Sequence, residues 1–342
     1  LSRLSPKEIA EELDELETND AADIIAELSQ EKKEEVISEL QDVEQFTDSD
    51  DSQRRVDVAL DRCLAALSST GLVGRGNQGP SQVLWKIAGD LLVRGDLQWR
   101  ARSKPRGYAG DFEMQADFWL RRTCDDPLGR LFDRYFLKQQ AVEAVRARMD
   151  LVADIIAARC AASPRDEFRV VSIGSGPGID LEQAALRITS DDRRRLRFTL
   201  VDIDEQALDA ARARLEAVVA PEQVRTCREN LARLARGRRG AELIAGCDLL
   251  VCTGLFDYLE EPEAVAMLRL FAAALRPGGV FYVGNFAPHC TTRAYMEWIG
   301  NWYLIYRTAD DLRRLAAVSE LPAGAMQIVA ERTGADLFLE FE

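Results

Sequence analysis

A short apolar run followed at once by three closely spaced glycines, at residues 168–178, constrains most strongly what this chain can fold into. The run FRVVSI contains several β-branched residues, which is typical of a buried strand. Gly174, Gly176 and Gly178 follow it, and residues 180–188 have the composition of a helix. Because glycines allow a tight turn and let a ligand approach the backbone closely, the stretch predicts the start of a nucleotide-binding crossover.

A carboxylate follows this turn at an informative distance. A second predicted strand, residues 198–203, ends near Asp202. An acidic side chain at the end of the second strand can accept hydrogen bonds from both ribose hydroxyls. The glycines are spaced G-x-G-x-G rather than G-x-G-x-x-G, and the chain has no G-x-x-x-x-G-K-[ST] phosphate loop.

Strands and helices alternate from residue 151 onwards, which predicts an α/β domain with a doubly wound, mostly parallel sheet. In such sheets ligands bind at the carboxyl ends of the strands. The parallel strands predicted are residues 168–173, 198–203, 223–228, 247–252 and 279–285, with a closing antiparallel pair at 327–331 and 336–341.

Four segments resemble the class I S-adenosylmethionine-dependent methyltransferases: VVSIGSGPG (170–178), LVDIDEQAL (200–208), CDLLVCTGLFDYL (247–259) and LRPGGVFYVGNF (275–286). The resemblance implies a Rossmann-like methyltransferase that uses S-adenosylmethionine. It implies that the glycine turn lies against the methionine part of the cofactor and that Asn230 lies near the adenine. A sugar-binding or NAD-binding domain is the alternative. The cofactor-binding residues implied are Gly174, Ser175, Gly176, Gly178, Asp202, Ile203, Asn230, Leu231 and Thr253.

Charge divides the chain near Gln45. Residues 1–45 contain 15 acidic and 4 basic side chains, whereas the rest of the chain is only slightly acidic. We therefore predict an acidic helical segment at 1–45, a helical cap at 46–150 and the methyltransferase domain at 151–342, with a polar linker at 44–55. A slightly acidic main part disfavours nucleic acid as a partner.

Residues 1–45 contain three short helix-like repeats, at 5–16, 18–28 and 29–40. Ser5 and Glu8 form a capping box with Pro6 at the first helical position. The repeats resemble part of the cytoplasmic amino-terminal domain of MgtE-type magnesium transporters. The alternatives are an acidic helical cap, an appended module and a surface that docks a protein partner.

The cysteines and the hydropathy indicate the compartment. No uncharged apolar run approaches the roughly 18 residues that a membrane span needs, and no signal peptide is recognisable. Seven scattered cysteines without a C-x-x-C pair argue against a disulfide framework or a zinc site. We therefore expect a cytoplasmic protein without a membrane span and without a bound metal.

Two segments are candidates for the acceptor site. The turn KPRGYAGD (104–111) interrupts the predicted helices and is either a simple connection or a substrate lid. The segment 285–308 is rich in tryptophan and tyrosine and begins where the fifth strand ends, so it is either core or pocket. The candidates are Tyr108, Asp111, His289 and Arg293 for catalysis, and Arg106, Tyr258, Tyr295 and Trp298 for substrate binding.

The same two segments resemble a narrower bacterial group, the methyltransferases that make the 3-hydroxypalmitic acid methyl ester signal. That resemblance implies a small, fatty-acid-like carboxylate as methyl acceptor. A carboxylate, with a pKa of about 4–5, is already a nucleophile at neutral pH and needs no general base. A protein methyltransferase and a non-catalytic, cofactor-sensing docking protein are the alternatives. We expect the acceptor site between the turn and the aromatic segment, with Tyr108 or His289 contributing at least about tenfold to turnover.

Overall fold

The computed structural model describes residues 48–230 and 238–342, which fall into two compact units. The first unit contains residues 48–142 and 291–303, and the second contains the remaining described residues from 143 to 290 and 304 to 342. The acidic segment 1–45 with its predicted repeats and its proposed docking role lies outside the described residues.

The first unit is helical. Its first helix begins six residues earlier than predicted because the Ser49 side chain accepts a hydrogen bond from the Ser52 amide (3.1 Å), which caps the helix. The predicted linker 44–55 is therefore wrong from Asp50 onwards. The helices are α1 (Asp50–Ser68), α2 (Gln78–Leu92), α3 (Asp96–Ser103), α4 (Phe112–Leu120), α5 (Pro127–Leu137) and the first turn of α6 (Gln140–Ala162).

The boundary between the units differs from the prediction at residue 150. It falls between Val142 and Glu143, inside helix α6, and residues 291–303 belong to the first unit. The apolar pattern of the sequence predicts one helix at 128–148 and another at 151–160. In the structure the two helices are instead separated between α5 and α6. Nothing in a periodic apolar pattern marks where a continuous helix passes from one core to another.

The second unit contains one seven-stranded sheet with the strand order β3-β2-β1-β4-β5-β7-β6. The first five strands are parallel, and β7 pairs antiparallel with both β5 and β6. The predicted fold class and the closing antiparallel pair are confirmed. The strands are β1 (Phe168–Ile173), β2 (Leu196–Asp202), β3 (Val224–Arg228), β4 (Cys247–Cys252), β5 (Leu275–Phe286), β6 (Met326–Ala330) and β7 (Asp336–Phe341).

Helices cover both faces of this sheet, which explains why β1 and β4 read as continuous apolar runs. The helices of this unit are the rest of α6, then α7 (Ile179–Arg187), α8 (Ser190–Arg195), α9 (Glu205–Glu216), α10 (Arg238–Ile244), α11 (Glu261–Ala274) and α12 (Ala309–Val318). Val170 faces a core built with α6, α7 and α9, whereas its neighbour Val171 faces a core built with α11 and α12.

Three further features bear on the predictions. Within the two described ranges, no helix is both long and apolar enough to cross a membrane. In those ranges no group of three or more His, Cys, Asp or Glu side chains is arranged to hold a metal ion. All seven cysteines are free thiols.

Candidate active site

The glycine turn connects β1 to α7 in the second unit. Gly174, Gly176 and Gly178 have φ angles of 64°, 51° and 65°, in the left-handed region that side chains with a Cβ rarely adopt. The Gly174 amide donates to the carbonyl of Val201 (2.8 Å), so the turn is fixed to the neighbouring strand β2. The three glycines are therefore required by the backbone path, as the sequence predicts.

Gly178 has a second role, in packing. A Cβ at this position would lie 2.9 Å from the Cβ of Ala211 on α9. That distance is shorter than the about 3.5–4.0 Å at which carbon atoms pack. The absence of a side chain thus lets the start of α7 approach α9 closely.

Asp202 lies directly against the turn. Its Oδ2 accepts from the Gly176 amide (3.0 Å) and its Oδ1 accepts from the Asp204 amide (3.0 Å). Burial raises the pKa of this carboxyl above its ordinary value, and the hydrogen bonds from the two amides oppose that rise. The next side chain, Ile203, is 49% exposed although it is apolar.

These residues fit S-adenosylmethionine. The hydroxyl of Ser175 is buried in the glycine turn and has no hydrogen-bond partner, so a polar group is missing there. The carboxylate of Asp202 is of the type that binds ribose hydroxyls. The exposed apolar surface of Ile203 suits an aromatic base. A hydroxyl, a carboxylate and an apolar patch in this order match the methionine, ribose and adenine parts of the cofactor.

The other predicted cofactor residues lie at the carboxyl ends of β3 and β4. Asn230 is exposed just after β3, and its amide donates to Oε1 of Glu229 (2.9 Å). Leu231 lies outside the described residues. Thr253 follows β4 and is half-buried, and its carbonyl would lie 2.9 Å from a Cβ on Gly284 of β5. The ends of β4 and β5 can therefore approach closely.

Sequence reasoning missed a polar network at this edge of the sheet. Oδ1 of Asp257 accepts from Asn285 Nδ2 (3.0 Å) and from the Phe286 amide (2.7 Å). Arg307 donates to Oδ1 of Asn285 (2.6 Å) and to the carbonyl of Phe256 (2.6 Å). The network fixes the loops that follow β4 and β5. Asp257 follows β4, and Asn285 and Arg307 lie in the predicted aromatic segment 285–308, but their spacing in the sequence does not indicate that the three side chains meet.

A buried ion pair lies in the same unit. Arg148 of α6 donates to Oδ2 of Asp336 at the start of β7 (3.1 Å), and its guanidinium stands 6.0 Å from the ring of Phe286. The second oxygen of Asp336 has no partner. Burial raises the pKa of Asp336 and that of Asp257, and the proximity of Asp257 raises the pKa of Asp336 further. No spacing rule connects Arg148 to a residue so distant in the chain.

The catalytic candidates are engaged in local contacts. His289 is exposed, and its Nε2 lies 2.8 Å from the carbonyl oxygen of Gly334. Because a carbonyl only accepts, Nε2 must carry the proton and donate it. Oδ1 of Asp111 accepts from the Glu113 and Met114 amides (3.1 and 3.0 Å), which caps helix α4.

The arginine candidates pair with glutamates in the first unit. Arg106 donates to Oε1 of Glu113 (3.0 Å) and lies 4.4 Å from the ring centroid of Phe112. Nε of Arg293 donates to Oε1 of Glu297 (2.8 Å), one turn further along the chain.

The aromatic candidates divide between core and surface. Tyr295 is 1% exposed, packs against Phe136 with ring centroids 5.0 Å apart and donates its hydroxyl proton to Gln98 Oε1 (2.6 Å). Trp298 is equally buried, so packing accounts for both side chains. Tyr258 is exposed on the short 3-10 helix Phe256–Tyr258.

The candidates divide between the units. The first unit contains Arg106, Tyr108, Asp111, Arg293, Tyr295 and Trp298. His289, Tyr258 and the described cofactor residues lie in the second.

Comparison with known proteins agrees with this description. Residues 171–281 match a family model described as a methyltransferase domain. A possible exported protein from Bordetella parapertussis has a similar fold, with a TM-score of 0.51, 18% identity and coverage of 68% of this chain and 78% of that one. A search of curated proteins finds no match.

Two named methyltransferases are also similar in structure. Magnesium protoporphyrin IX methyltransferase from Synechocystis, solved with bound SAH, has a TM-score of 0.42 and 18% identity over 58% of this chain and 85% of that one. Mitomycin 7-O-methyltransferase has a TM-score of 0.43 and 14% identity over 83% of this chain and 71% of that one.

The family match covers the glycine turn, Asp202 and the strands β2, β3 and β4 whole, so the predicted enzyme class and cofactor are confirmed. The chain therefore contains an S-adenosylmethionine-dependent methyltransferase domain.

Proposed function

We propose that the protein transfers a methyl group to a carboxylate oxygen of a fatty-acid-like small molecule and so forms a methyl ester. The observation that supports this acceptor is the engagement of Asp111, a side chain that the sequence offers as a general base. Asp111 is buried and caps α4, and its Oδ2 faces Arg100 (3.4 Å).

The need for a general base differs between classes of methyl acceptor. An alcohol, a phenol or a protonated amine must lose a proton during methyl transfer and benefits from a nearby base. A carboxylate arrives ionised, because its pKa is about 4–5. Its lone pair would form the new C–O bond while the methyl–sulfur bond breaks and its electron pair goes to sulfur, and no proton has to move.

The work left to the protein is positioning and the exclusion of water. S-adenosylmethionine, when bound, supplies an electrophilic methyl group on a sulfonium. Asp202 would accept hydrogen bonds from the ribose hydroxyls, and the Ser175 hydroxyl would bond a polar group of the methionine part. The glycine turn that carries Ser175 is held to β2, the strand of Asp202, by the hydrogen bond of the Gly174 amide, so these contacts are preorganised.

The test is a product analysis with the purified full chain and methyl-labelled S-adenosylmethionine. The acceptors are a 3-hydroxy fatty acid, the corresponding diol, a phenol and an unstructured peptide. We expect label in a base-labile methyl ester of the acid, identified by mass spectrometry, and at least about tenfold less label with Asp202→Ala at a cofactor concentration below the Kd of the parent. Label in an ether, in an amine or in the peptide would contradict the carboxylate proposal.

The pH profile provides an independent measurement. With a carboxylate acceptor, the rate at low acceptor concentration should be flat between about pH 6 and pH 8, because the acceptor is ionised throughout. A tenfold rise per pH unit in that range would indicate that a base must be deprotonated and would count against the proposal. The free thiols support a reducing compartment, such as the cytoplasm, as the place of this reaction.

A further inference from the structure

Two basic side chains of the first unit, Arg102 and Lys104, are half-buried without a carboxylate partner among the described residues. Arg102 donates from NH1 to Oγ of Ser81 (2.6 Å), and its guanidinium lies over the ring of Trp85 (4.9 Å). Lys104 donates from Nζ to the carbonyl of Asn301 (2.6 Å). The polar groups that they contact in the described part of the chain are neutral.

Two other arginines near Arg102 in the sequence do have a carboxylate partner. Arg100 and Arg106 both pair with the carboxylate of Glu113. Burial lowers the pKa of Arg102 and that of Lys104, and the charge of Arg102 lowers the pKa of Lys104 further. Two partly desolvated like charges without a counterion cost stability, so the arrangement favours the entry of an anion.

Two neighbours of Arg102 carry buried donors without acceptors. Nε1 of Trp85 and the hydroxyl of Tyr303 are buried and have no hydrogen-bond partner. Tyr303 lies close enough to Arg102 for an electrostatic interaction between the two side chains, and it also approaches Ser81. Burial raises the pKa of Tyr303 to about 12, so the hydroxyl keeps its proton at neutral pH. The groups at this place therefore include two cations without a counterion in the described chain and two buried hydrogen-bond donors.

The acidic side chain that acts on Tyr303 does not neutralise this site. Glu297 influences Tyr303, but its carboxylate is already engaged. It accepts from the Gly74 amide (2.7 Å), from Asn77 Nδ2 (2.8 Å) and from Arg293 Nε (2.8 Å). Its charge is thus matched by Arg293.

We propose that Arg102, Lys104, Trp85 and Tyr303 form a binding site for the oxyanion of a small organic ligand, a carboxylate or a phosphate. The planar guanidinium matches the two oxygens of such a group, and Lys104 adds a point charge. The indole N–H and the phenol O–H supply neutral donors. This inference concerns binding in the first unit and goes beyond the proposed methyl transfer, so either can fail without the other.

Calorimetry on the full chain without S-adenosylmethionine tests the site. The probes are sodium octanoate, inorganic phosphate and octanol, which has the same chain as octanoate but no charge. We expect saturable binding of at least one anion, with octanol at least about tenfold weaker than octanoate if the carboxylate is the ligand. Binding of octanoate alone assigns a carboxylate, and binding of phosphate alone assigns a phosphate group. Absence of saturable binding of both anions overturns the proposal.

Variants connect the binding to these residues. Arg102→Met should weaken anion binding at least about tenfold, and Arg102→Lys should weaken it less because the charge remains. Lys86→Met on α2 removes an exposed cation of the same unit and is the control, with unchanged affinity. Equal affinity of Arg102→Met and Lys86→Met would refute the assignment.

Variants of the two neutral donors distinguish most sharply between a role in anion binding and a purely structural role. Trp85→Phe and Tyr303→Phe each remove a buried donor that has no acceptor in the structure. Without ligand, these variants should unfold at the same or a higher urea concentration than the parent, yet bind the anion more weakly. Lower stability with unchanged anion affinity would mean that the groups serve packing alone.

Discussion

Replacement of Gly178 by alanine should destabilise the second unit for two separable reasons. The backbone φ of 65° lies in the left-handed region, where an L side chain costs about 1–2 kcal/mol. The new Cβ would also lie 2.9 Å from the Cβ of Ala211, and overpacking of this kind costs about 1–3 kcal/mol. We therefore expect the free energy of unfolding to fall by about 2–5 kcal/mol.

A second glycine isolates the backbone contribution. Gly278 has a φ of 76°, and a Cβ there would meet no atom within 4 Å. Gly278→Ala in the same unit should therefore cost only about 1–2 kcal/mol. Urea unfolding followed by circular dichroism measures both variants against the parent.

A double-mutant cycle measures the contact itself. Ala211→Gly alone should cost about 1 kcal/mol because glycine is a poor helix former. In the Gly178→Ala background, the same change removes the closest contact. The two substitutions should therefore be coupled by about 1–3 kcal/mol, and the net gain in stability on adding Ala211→Gly should be about 0–2 kcal/mol. Equal destabilisation by Gly178→Ala and Gly278→Ala, together with no coupling in the cycle, would refute the view that Gly178 permits the contact between α7 and α9.

Three further predictions concern the cofactor residue and the acidic segment. Asp202→Ala should weaken S-adenosylmethionine binding by about 1.5–3 kcal/mol in calorimetry, whereas Asp209→Ala, an exposed acid on α9, should leave it unchanged. Burial raises the pKa of Asp202 above 3.8, so on acidification the parent should lose affinity for S-adenosylmethionine at a higher pH than an ordinary carboxyl would cause. Asp202→Asn should lose this pH dependence, and identical pH profiles of the two proteins would contradict the role of Asp202 in cofactor binding. A chain that begins at Gln45 should keep its melting temperature and its cofactor affinity. It retains Asp48, which pairs with Arg130 (2.7 Å) and Arg134 (2.6 Å). A large fall in melting temperature would show that the acidic segment supports the fold.

The sequence predicts those parts of the site that depend on local backbone chemistry. The glycine turn and Asp202 are recognisable because the turn type demands glycine and because the acid follows the next strand. The pair of Arg148 and Asp336 is not recognisable, since only the closed sheet brings together two residues 188 positions apart. Tyr295 shows a different limit, because an aromatic stripe looks the same whether it lines a pocket or, as here, packs against Phe136.

The placement of β7 next to β5 has a consequence for synthesis of the chain. β5 ends at Phe286, and its partner β7 starts at Asp336, with the edge strand β6 made in between. At the roughly 5–20 residues per second of translation, the apolar edge of β5 waits roughly 3–10 s for its partner. An unpaired apolar strand edge invites association with other chains during that interval. Nascent chains of this protein are therefore most exposed to aggregation, and most in need of a chaperone, between the synthesis of β5 and that of β7.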